Sequence, residues 1–209
     1  MKKSLRTALG GCIAVAILVG GKPAQAQTMA SLPAGATAAA VTGEARPLLA
    51  WIEFCRREPR ECAVDPAEPA TITLTPRGWH TIVSVNRRVN AEIRAVTDLD
   101  HWGVPDRWDI PTDGYGDCED YQLLKRKLLA EAGLPRRAMR MTVVIDEKRE
   151  GHAVLTVRTD RGDFILDNKT NAVLPWDQTP YVYVKRESQN GLGWAALGGA
   201  ASPVATANR

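Results

Sequence analysis

The chain has 209 residues, of which 27 are basic, 24 are acidic and 44% are hydrophobic. This length suits one domain with its own hydrophobic core. The near balance of charge argues against a nucleic acid or an anionic membrane surface as partner, and no internal repeat indicates a repeat architecture.

Residues 1–26 have the pattern of a secretory signal peptide. Basic residues open the segment, residues 9–21 are apolar but too short to span a membrane, and Ala24-Gln25-Ala26 fits the small-x-small cleavage pattern. The segment holds four of the 27 basic residues and no acid, so its removal leaves 23 basic against 24 acidic residues. We therefore expect an exported chain that begins at Gln27 and has no later membrane span.

The first part of the mature chain is predicted to be helical after a flexible start. Residues 27–45 are rich in small and polar residues and are expected to be flexible. A helix is predicted over 47–58 and a second over 76–96, where Pro76 is tolerated in the first turn. An irregular, proline-rich connection joins the two helices.

A long segment without periodicity follows the second helix. Residues 97–116 combine tryptophan, aspartate and glycine, which is typical of a packed, functional loop rather than a linker. Asn86 and Asn90 lie one turn apart on the preceding helix. They are either solvated amides or side chains that face this acidic loop and orient it.

The sequence G-Y-G-D-C-E-D-Y at 114–121 leads into an amphipathic helix. Asp117 is a plausible N-cap, so Cys118 lies in the first turn, where unpaired N–H groups and the helix dipole favour a thiolate. Asp117, Glu119 and Asp120 oppose this effect, because neighbouring carboxylates disfavour a further negative charge. Either Cys118 is inert, or a positive group such as a histidinium or a bound cation compensates.

The mature chain contains Cys55, Cys62 and Cys118. Export permits disulfides, and the closeness of Cys55 and Cys62 in the sequence predicts that they form one. Cys118 remains outside this pair, as a small buried thiol or as a functional one. Its acidic, glycine-flanked setting favours a functional thiol.

After Pro135 the pattern changes to β-strands. Four strands are predicted, with a hairpin turn between the second and the third, over 139–145, 152–158, 163–167 and 181–186. Residues 188–209 are rich in glycine and alanine and are expected to form a flexible tail. The prediction is an α+β domain over 46–187, with N-terminal helices packed on an antiparallel β-sheet.

The strand hairpin brings a histidine and an acid together. His152 opens one strand and Asp167 ends its partner, so the two are near neighbours across the pair. Such a pair suits Cys118 as nucleophile, His152 as general base and Asp167 as the group that orients the imidazole. His101 in the acidic loop is the competing base, and His80 is expected to be a packing or surface residue. A Cys/His zinc site ranks low, because no two such ligands have the short spacing of a structural zinc site.

Three blocks of sequence together resemble the bacterial transglutaminase-like cysteine proteinase family, the LapG-like proteins. They are G-D-C-E-D-Y at 116–121, G-H-A-V-L at 151–155 and G-D-F-I-L-D-N at 162–168, and the resemblance runs from about Trp79 to Arg186. It implies a papain-like or transglutaminase-like fold with a Cys-His-Asp triad. It also implies a periplasmic, calcium-dependent protease that processes a large surface adhesin in biofilms and is controlled by an inner-membrane receptor.

By the same resemblance, Asp117 and Glu119 would bind calcium, with Asp98 as a further candidate ligand. Carboxylate oxygens suit calcium, and the cation would offset the negative charge around Cys118. Helix capping and interaction with the helix dipole are the alternative roles for Asp117 and Glu119. Two other functions use the same scaffold: transamidation or amide hydrolysis on a cell-wall peptide by the same thiol, and a non-catalytic calcium-binding adaptor.

Overall fold

The structure is a computed structural model that describes residues 32–199. The predicted signal peptide, residues 1–26, and the end of the predicted tail, residues 200–209, lie outside the described residues. Within residues 32–199, none of the helices is both long enough and apolar enough to cross a membrane.

The α-helices are α1 Leu49–Arg57, α2 Pro59–Cys62, α3 Pro76–Glu92, α4 Asp98–Trp102 and α5 Cys118–Glu131. Thr75 begins α3 by accepting a hydrogen bond from the Gly78 N–H through its side chain (3.0 Å), and Pro76 occupies the first turn as predicted. Short 3₁₀ turns lie at Arg136–Ala138 and Trp176–Gln178.

The strands are β1 Gly43–Ala45, β2 Arg94–Ala95, β3 Tyr115–Gly116, β4 Met139–Ile145, β5 Gly151–Thr159, β6 Gly162–Leu166, β7 Leu174–Pro175, β8 Val182–Glu187 and β9 Trp194–Ala196. Seven of them form one antiparallel sheet in the order β1-β9-β8-β4-β5-β6-β7. The short strands β2 and β3 form a separate parallel pair.

Side chains alternate between the two faces of the sheet, as strand geometry requires. On β5, Leu155 and Val157 belong to the large core that also contains Trp79 of α3. Val154 points to the other face and packs in a smaller cluster with Tyr183. Helices α3 and α5 therefore cover one face of the sheet, and the predicted α+β architecture is confirmed.

The predicted second helix is too long at its C-terminal end. Helix α3 ends at Glu92 because the next residues leave the helix to pair with β3, where Arg94 lies opposite Tyr115. The predicted loop over 97–116 contains α4, a helix too short for its periodicity to be recognised.

The ends of the described chain are more ordered than their composition indicates. Strand β1, inside the predicted flexible start, pairs with β9, inside the predicted flexible tail. Trp194 provides the physical reason, because its indole is buried and packs edge-on against Trp51 at a centroid distance of 5.8 Å. One large aromatic side chain thus attaches a glycine- and alanine-rich segment to the sheet.

The structure places Cys55 and Cys62 in a disulfide with a Cα–Cα distance of 5.6 Å. The bridge links the last turn of α1 to the end of α2. The predicted pairing is confirmed, and Cys118 lies outside it.

Candidate active site

Cys118 is the first residue of α5, and the turn before it requires a glycine. A Cβ atom on Gly116 would lie 2.7 Å from the Cβ atom of Asp120, so only glycine permits this close approach. Asp117 occupies the N-cap position, but its side chain makes no capping hydrogen bond. The predicted capping role of Asp117 is therefore wrong, and its carboxyl group is available for another function.

His152 and Asp167 meet beside the cysteine. His152 Nε2 lies 2.9 Å from Asp167 Oδ1, and the amide N–H of Ala153 lies 3.4 Å from Cys118 Sγ. His152 also hydrogen-bonds to Cys118. An ionised carboxylate only accepts hydrogen bonds, so Nε2 carries a proton and Nδ1 is the ring nitrogen that can serve the thiol.

The electrostatics of this group favour a charged imidazole. Burial lowers the pKa of His152, but hydrogen bonds to Asp167 and Cys118 outweigh it and raise the pKa to about 9. Burial raises the pKa of Asp167, but His152 holds it below the ordinary value. A histidinium at this position is one of the two positive groups that, in the sequence analysis, could compensate the negative charge around Cys118.

Tyr181 completes the support of Asp167. Its hydroxyl donates to Asp167 Oδ2 over 2.5 Å, and its ring packs edge-on against the His152 ring at a centroid distance of 5.6 Å. The N–H of Lys169 donates to Asp167 Oδ1 over 3.0 Å. Sequence reasoning missed Tyr181 as a site residue, since a tyrosine at the start of a predicted strand gives no sign of the side chain that it will contact.

Asn86 and Asn90 hold the chain that follows Asp167. Nδ2 of Asn90 donates to the Asp167 carbonyl oxygen over 2.9 Å, and Nδ2 of Asn86 donates to that of Thr170 over 3.3 Å. Neither alternative from the sequence is therefore right, because the amides fix the loop over 167–171 rather than the acidic loop or solvent.

The other two histidines lie elsewhere. His101 Nε2 lies 2.9 Å from Asp113 Oδ2, and the His101 ring stacks on Trp102 at a centroid distance of 4.0 Å. His80 is exposed on α3. The structure thus brings His152, and not the competing candidate His101, to Cys118.

Five acidic side chains surround the start of α5, and we call them the acidic cluster: Asp98, Asp106, Asp117, Glu119 and Asp120. Carboxyl oxygens of Asp98, Asp106 and Glu119 lie within 4.8 Å of one another, as do those of Asp98, Asp117 and Asp120. Asp98, Asp117 and Glu119 are the ligands that the family resemblance implies, and the structure brings all three into this cluster. Asp106 and Asp120 were missed, although the density of aspartate in the loop pointed to the region.

Several oxygens of the acidic cluster lack a partner. Within residues 32–199, four buried carboxyl oxygens accept no hydrogen bond of normal geometry. They are both carboxyl oxygens of Asp117, Oε1 of Glu119 and Oδ1 of Asp106. Other oxygens are used: Asp120 Oδ1 accepts from the Asp109 N–H over 2.7 Å, and Glu119 Oε2 lies 3.1 Å from Cys118 Sγ. Buried, unsatisfied carboxyl oxygens are expensive unless a cation or a proton compensates them.

The raised pKa values of the acidic cluster show the same unfavourable burial of negative charge. Burial, followed by repulsion between the carboxylates, raises the pKa of Asp106 to about 6, of Asp117 to about 7 and of Asp120 to about 9. Burial and its charged neighbours also place the pKa of Glu119 well above the ordinary value. Hard oxygen donors with these properties fit a hard divalent cation such as calcium.

Fold and site together define a class of protein. A thiol at the start of a helix, facing a histidine and an aspartate on an antiparallel sheet, has the parts of a thiol-dependent acyl-transfer enzyme. The sequence matches the family described as bacterial transglutaminase-like cysteine proteinase over residues 41–202. The chain therefore belongs to this family of cysteine peptidases, as the sequence resemblance predicted.

Solved structures of LapG from Legionella pneumophila are similar to this chain. One has 24% sequence identity and a TM-score of 0.49, over 58% of this chain and 70% of that chain. Another, described as calcium-bound, has 20% identity and a TM-score of 0.49, over 73% of this chain and 92% of that chain. A search of curated proteins gave no match.

Proposed function

We propose that the chain is an exported cysteine endopeptidase with Cys118 as nucleophile, His152 as general base and then general acid, and Asp167 as the group that orients His152. One observation carries the proposal: a series of hydrogen bonds runs from Tyr181 through Asp167 to His152, and the N–H of the next residue, Ala153, lies 3.4 Å from Cys118 Sγ. Such a series fixes both the tautomer and the orientation of the base.

In the reaction, Sγ of Cys118 attacks the carbonyl carbon of the scissile peptide bond while His152 holds the thiol proton. N–H groups in the first turn of α5 would bind the oxyanion, because they have no partner within the helix. His152 then protonates the leaving amine, and a thioester to Cys118 remains. Water, deprotonated by His152, hydrolyses the thioester and releases the new carboxyl terminus.

Access to the thiol is part of the mechanism. Cys118, His152 and Asp167 are all buried, with side chains at most 3% exposed. A polypeptide substrate can therefore reach Sγ only when neighbouring segments move apart. This requirement suits an enzyme whose activity is controlled by a cation or by a partner protein.

Calcium is the proposed cofactor. Asp98, Asp106, Asp117 and Glu119 would hold it, and the unpartnered oxygens of the acidic cluster support this assignment. When bound, the ion would supply positive charge beside the nucleophile and order the loop that joins α4 to α5. The residues of the chain carry out the bond-making and bond-breaking steps.

The location, substrate and regulator are the finer parts of the proposal. The signal-like segment 1–26 and the Cys55–Cys62 disulfide support export to the periplasm. The family resemblance of the sequence supports a large surface adhesin as the substrate. The same resemblance supports an inner-membrane receptor as the regulator.

The proposal is tested by incubating residues 27–209 with a proteome-derived peptide library and identifying new N-termini by mass spectrometry. We expect cleavage at a restricted set of sequences in calcium, and none with Cys118→Ala. Cleavage retained by Cys118→Ala would overturn the proposal. Incorporation of a fluorescent primary amine into peptides would instead favour transamidation, and an unreactive Cys118 would favour the adaptor.

A further inference from the structure

The histidine and the aspartate of the triad each lie next to a connecting segment. His152 is the second residue of β5, which follows the β4–β5 turn over 146–150, and Asp167 directly follows β6. Their side chains stay 2.9 Å apart only if the turn before β5 and the loop after β6 keep their relative positions. A contact between this turn and this loop therefore affects how the imidazole is oriented.

Asp146 is held firmly within the turn. Its side chain is only 3% exposed, and its Oδ1 accepts hydrogen bonds from the N–H groups of Lys148 (2.9 Å) and Glu150 (2.8 Å). The N–H of Asp146 also donates to the carbonyl oxygen of Glu150 over 2.9 Å. An aspartate that bonds to its own turn in this way has little freedom to move, and its Oδ2 remains for a partner outside the turn.

Lys169, in the loop after β6, is that partner. Its Nζ lies 2.5 Å from Asp146 Oδ2, and its backbone N–H donates over 3.0 Å to Asp167 Oδ1, the oxygen that faces the imidazole. The ammonium also lies 5.9 Å from the centroid of the Tyr181 ring, whose hydroxyl donates to Asp167 Oδ2. Lys169 thus bonds to the turn through its side chain and to the acid of the triad through its backbone.

This ion pair differs from an ordinary surface salt bridge. Exposed pairs contribute little, because water and salt screen them and two long side chains have to be ordered. Here only the lysine is partly exposed, with 35% of its side chain, and the aspartate is already ordered by its turn. Burial raises the pKa of Asp146, but hydrogen bonds, first of all the one from Lys169, outweigh burial and hold the pKa below the ordinary value. Burial lowers the pKa of Lys169, and the bond to Asp146 outweighs it in turn, so both groups are charged at neutral pH.

We propose that Asp146 and Lys169 are positioning residues of the triad: their ion pair joins the β4–β5 turn to the loop after β6 and thereby holds the carboxylate of the triad against its imidazole. The proposal rests on the catalytic roles given above to Cys118, His152 and Asp167. The competing explanation is a direct attraction between the ammonium of Lys169 and the triad carboxylate. The two explanations differ in what they predict for the loss of Asp146.

The test removes each partner of the ion pair separately. Asp146→Asn keeps Oδ1 for the turn but loses the negative charge, and Lys169→Met loses the ammonium but keeps the backbone N–H. Lys169→Arg keeps the charge, and Lys148→Met, an exposed change in the same turn, is the matched control. Two readouts need no substrate: the ring-nitrogen NMR signals of His152, among only three histidines in the chain, and the rate at which iodoacetamide alkylates Cys118 at neutral pH.

We expect Asp146→Asn and Lys169→Met each to shift the His152 signals, to leave those of the other two histidines in place, and to slow alkylation about fivefold. The double variant should be no slower than either single variant, because the effects of two partners in one ion pair are not additive. Lys169→Arg should retain most of the wild-type rate. Lys148→Met should match the wild type in both readouts.

A lowered melting temperature with unchanged His152 signals in both single variants would overturn the proposal, since the ion pair would then be purely structural. A loss in Lys169→Met alone would also overturn it. Asp146→Asn leaves the ammonium in place, so a wild-type rate in that variant would mean that the charge of Lys169 acts directly on the triad. Failure of the proposed function has a different signature, in which wild-type Cys118 reacts no faster than Cys118 in His152→Ala, while the His152 signals still report on the ion pair.

Discussion

Removing calcium should lower the melting temperature of the protein by several degrees. The acidic cluster contains buried carboxyl oxygens without donors, so a cation that binds them stabilises the folded chain and has no equivalent site in the unfolded one. Binding at a calcium concentration of 100 times Kd stabilises by about 2.7 kcal/mol. For a domain of this size, about 1 kcal/mol corresponds to about 2–4 °C, so the expected shift is about 5–11 °C.

The assay is thermal unfolding of residues 27–209, followed by the intrinsic fluorescence of the tryptophans, in calcium and in chelator. Asp117→Asn should remove most of the calcium-dependent shift. In chelator it should be at least as stable as the wild type, because a strained buried carboxyl group is gone. Glu131→Gln, an exposed change near the end of α5, should keep the full shift. Equal melting temperatures in calcium and chelator, together with no heat of binding in calorimetry, would refute the reasoning.

Three further perturbations test the support around the site. Tyr181→Phe removes the hydrogen-bond donor to Asp167 Oδ2. Because this bond is made to a charged group, its loss should lower kcat/KM in the peptide cleavage assay about 10- to 100-fold. A change below twofold would contradict the role of Tyr181. Glu187→Gln leaves the Arg126 guanidinium, 2.6 Å from Glu187 Oε2, buried without its counter-charge. It should lower the free energy of unfolding in urea by about 3–5 kcal/mol, and a loss below 1 kcal/mol would show that the pair is not needed. Burial raises the pKa of Glu187, but Arg126 outweighs burial and holds the pKa below its ordinary value of 4.5. The stability that this pair gives the wild type is therefore fully present above pH 4.5, and it is lost as the pH falls through the lowered pKa. Replacing Cys55 and Cys62 by serine opens a loop with a sequence separation of 7 and should cost about 2.5 kcal/mol by the chain-entropy relation; no change in urea midpoint would contradict it.

The local features of the site could be predicted from the sequence. A cysteine at a helix start, and a histidine and an aspartate at facing ends of a hairpin, are fixed by short-range patterns. The observed pairing of β5 with β6 places Leu155 opposite Leu166, which brings His152 and Asp167 to the same end of the pair. The conflict between Cys118 and its acidic neighbours was also visible in the sequence, and the structure adds the raised pKa values of the carboxyl groups, which result first from burial and then from their mutual repulsion.

Long-range contacts explain what the sequence could not predict. Asp106 joins the acidic cluster from a loop without periodicity, and Tyr181 reaches Asp167 across the site. Asn90 donates to the carbonyl oxygen of Asp167, 77 residues further on, and no local pattern encodes such a contact. The pairing of β1 with β9 depends on the burial of Trp194, and average composition conceals the effect of one aromatic side chain.

The central claim is that His152 activates Cys118, and alkylation kinetics test it most directly. Residues 27–209 are treated with iodoacetamide at pH 6.5, and modification of Cys118 is followed by intact mass for the wild type, His152→Ala and the surface control His80→Ala. The account predicts that the wild type and His80→Ala react at equal rates, at least about tenfold faster than His152→Ala. Equal rates for all three proteins would contradict it, because Cys118 would then be a thiol that His152 does not activate.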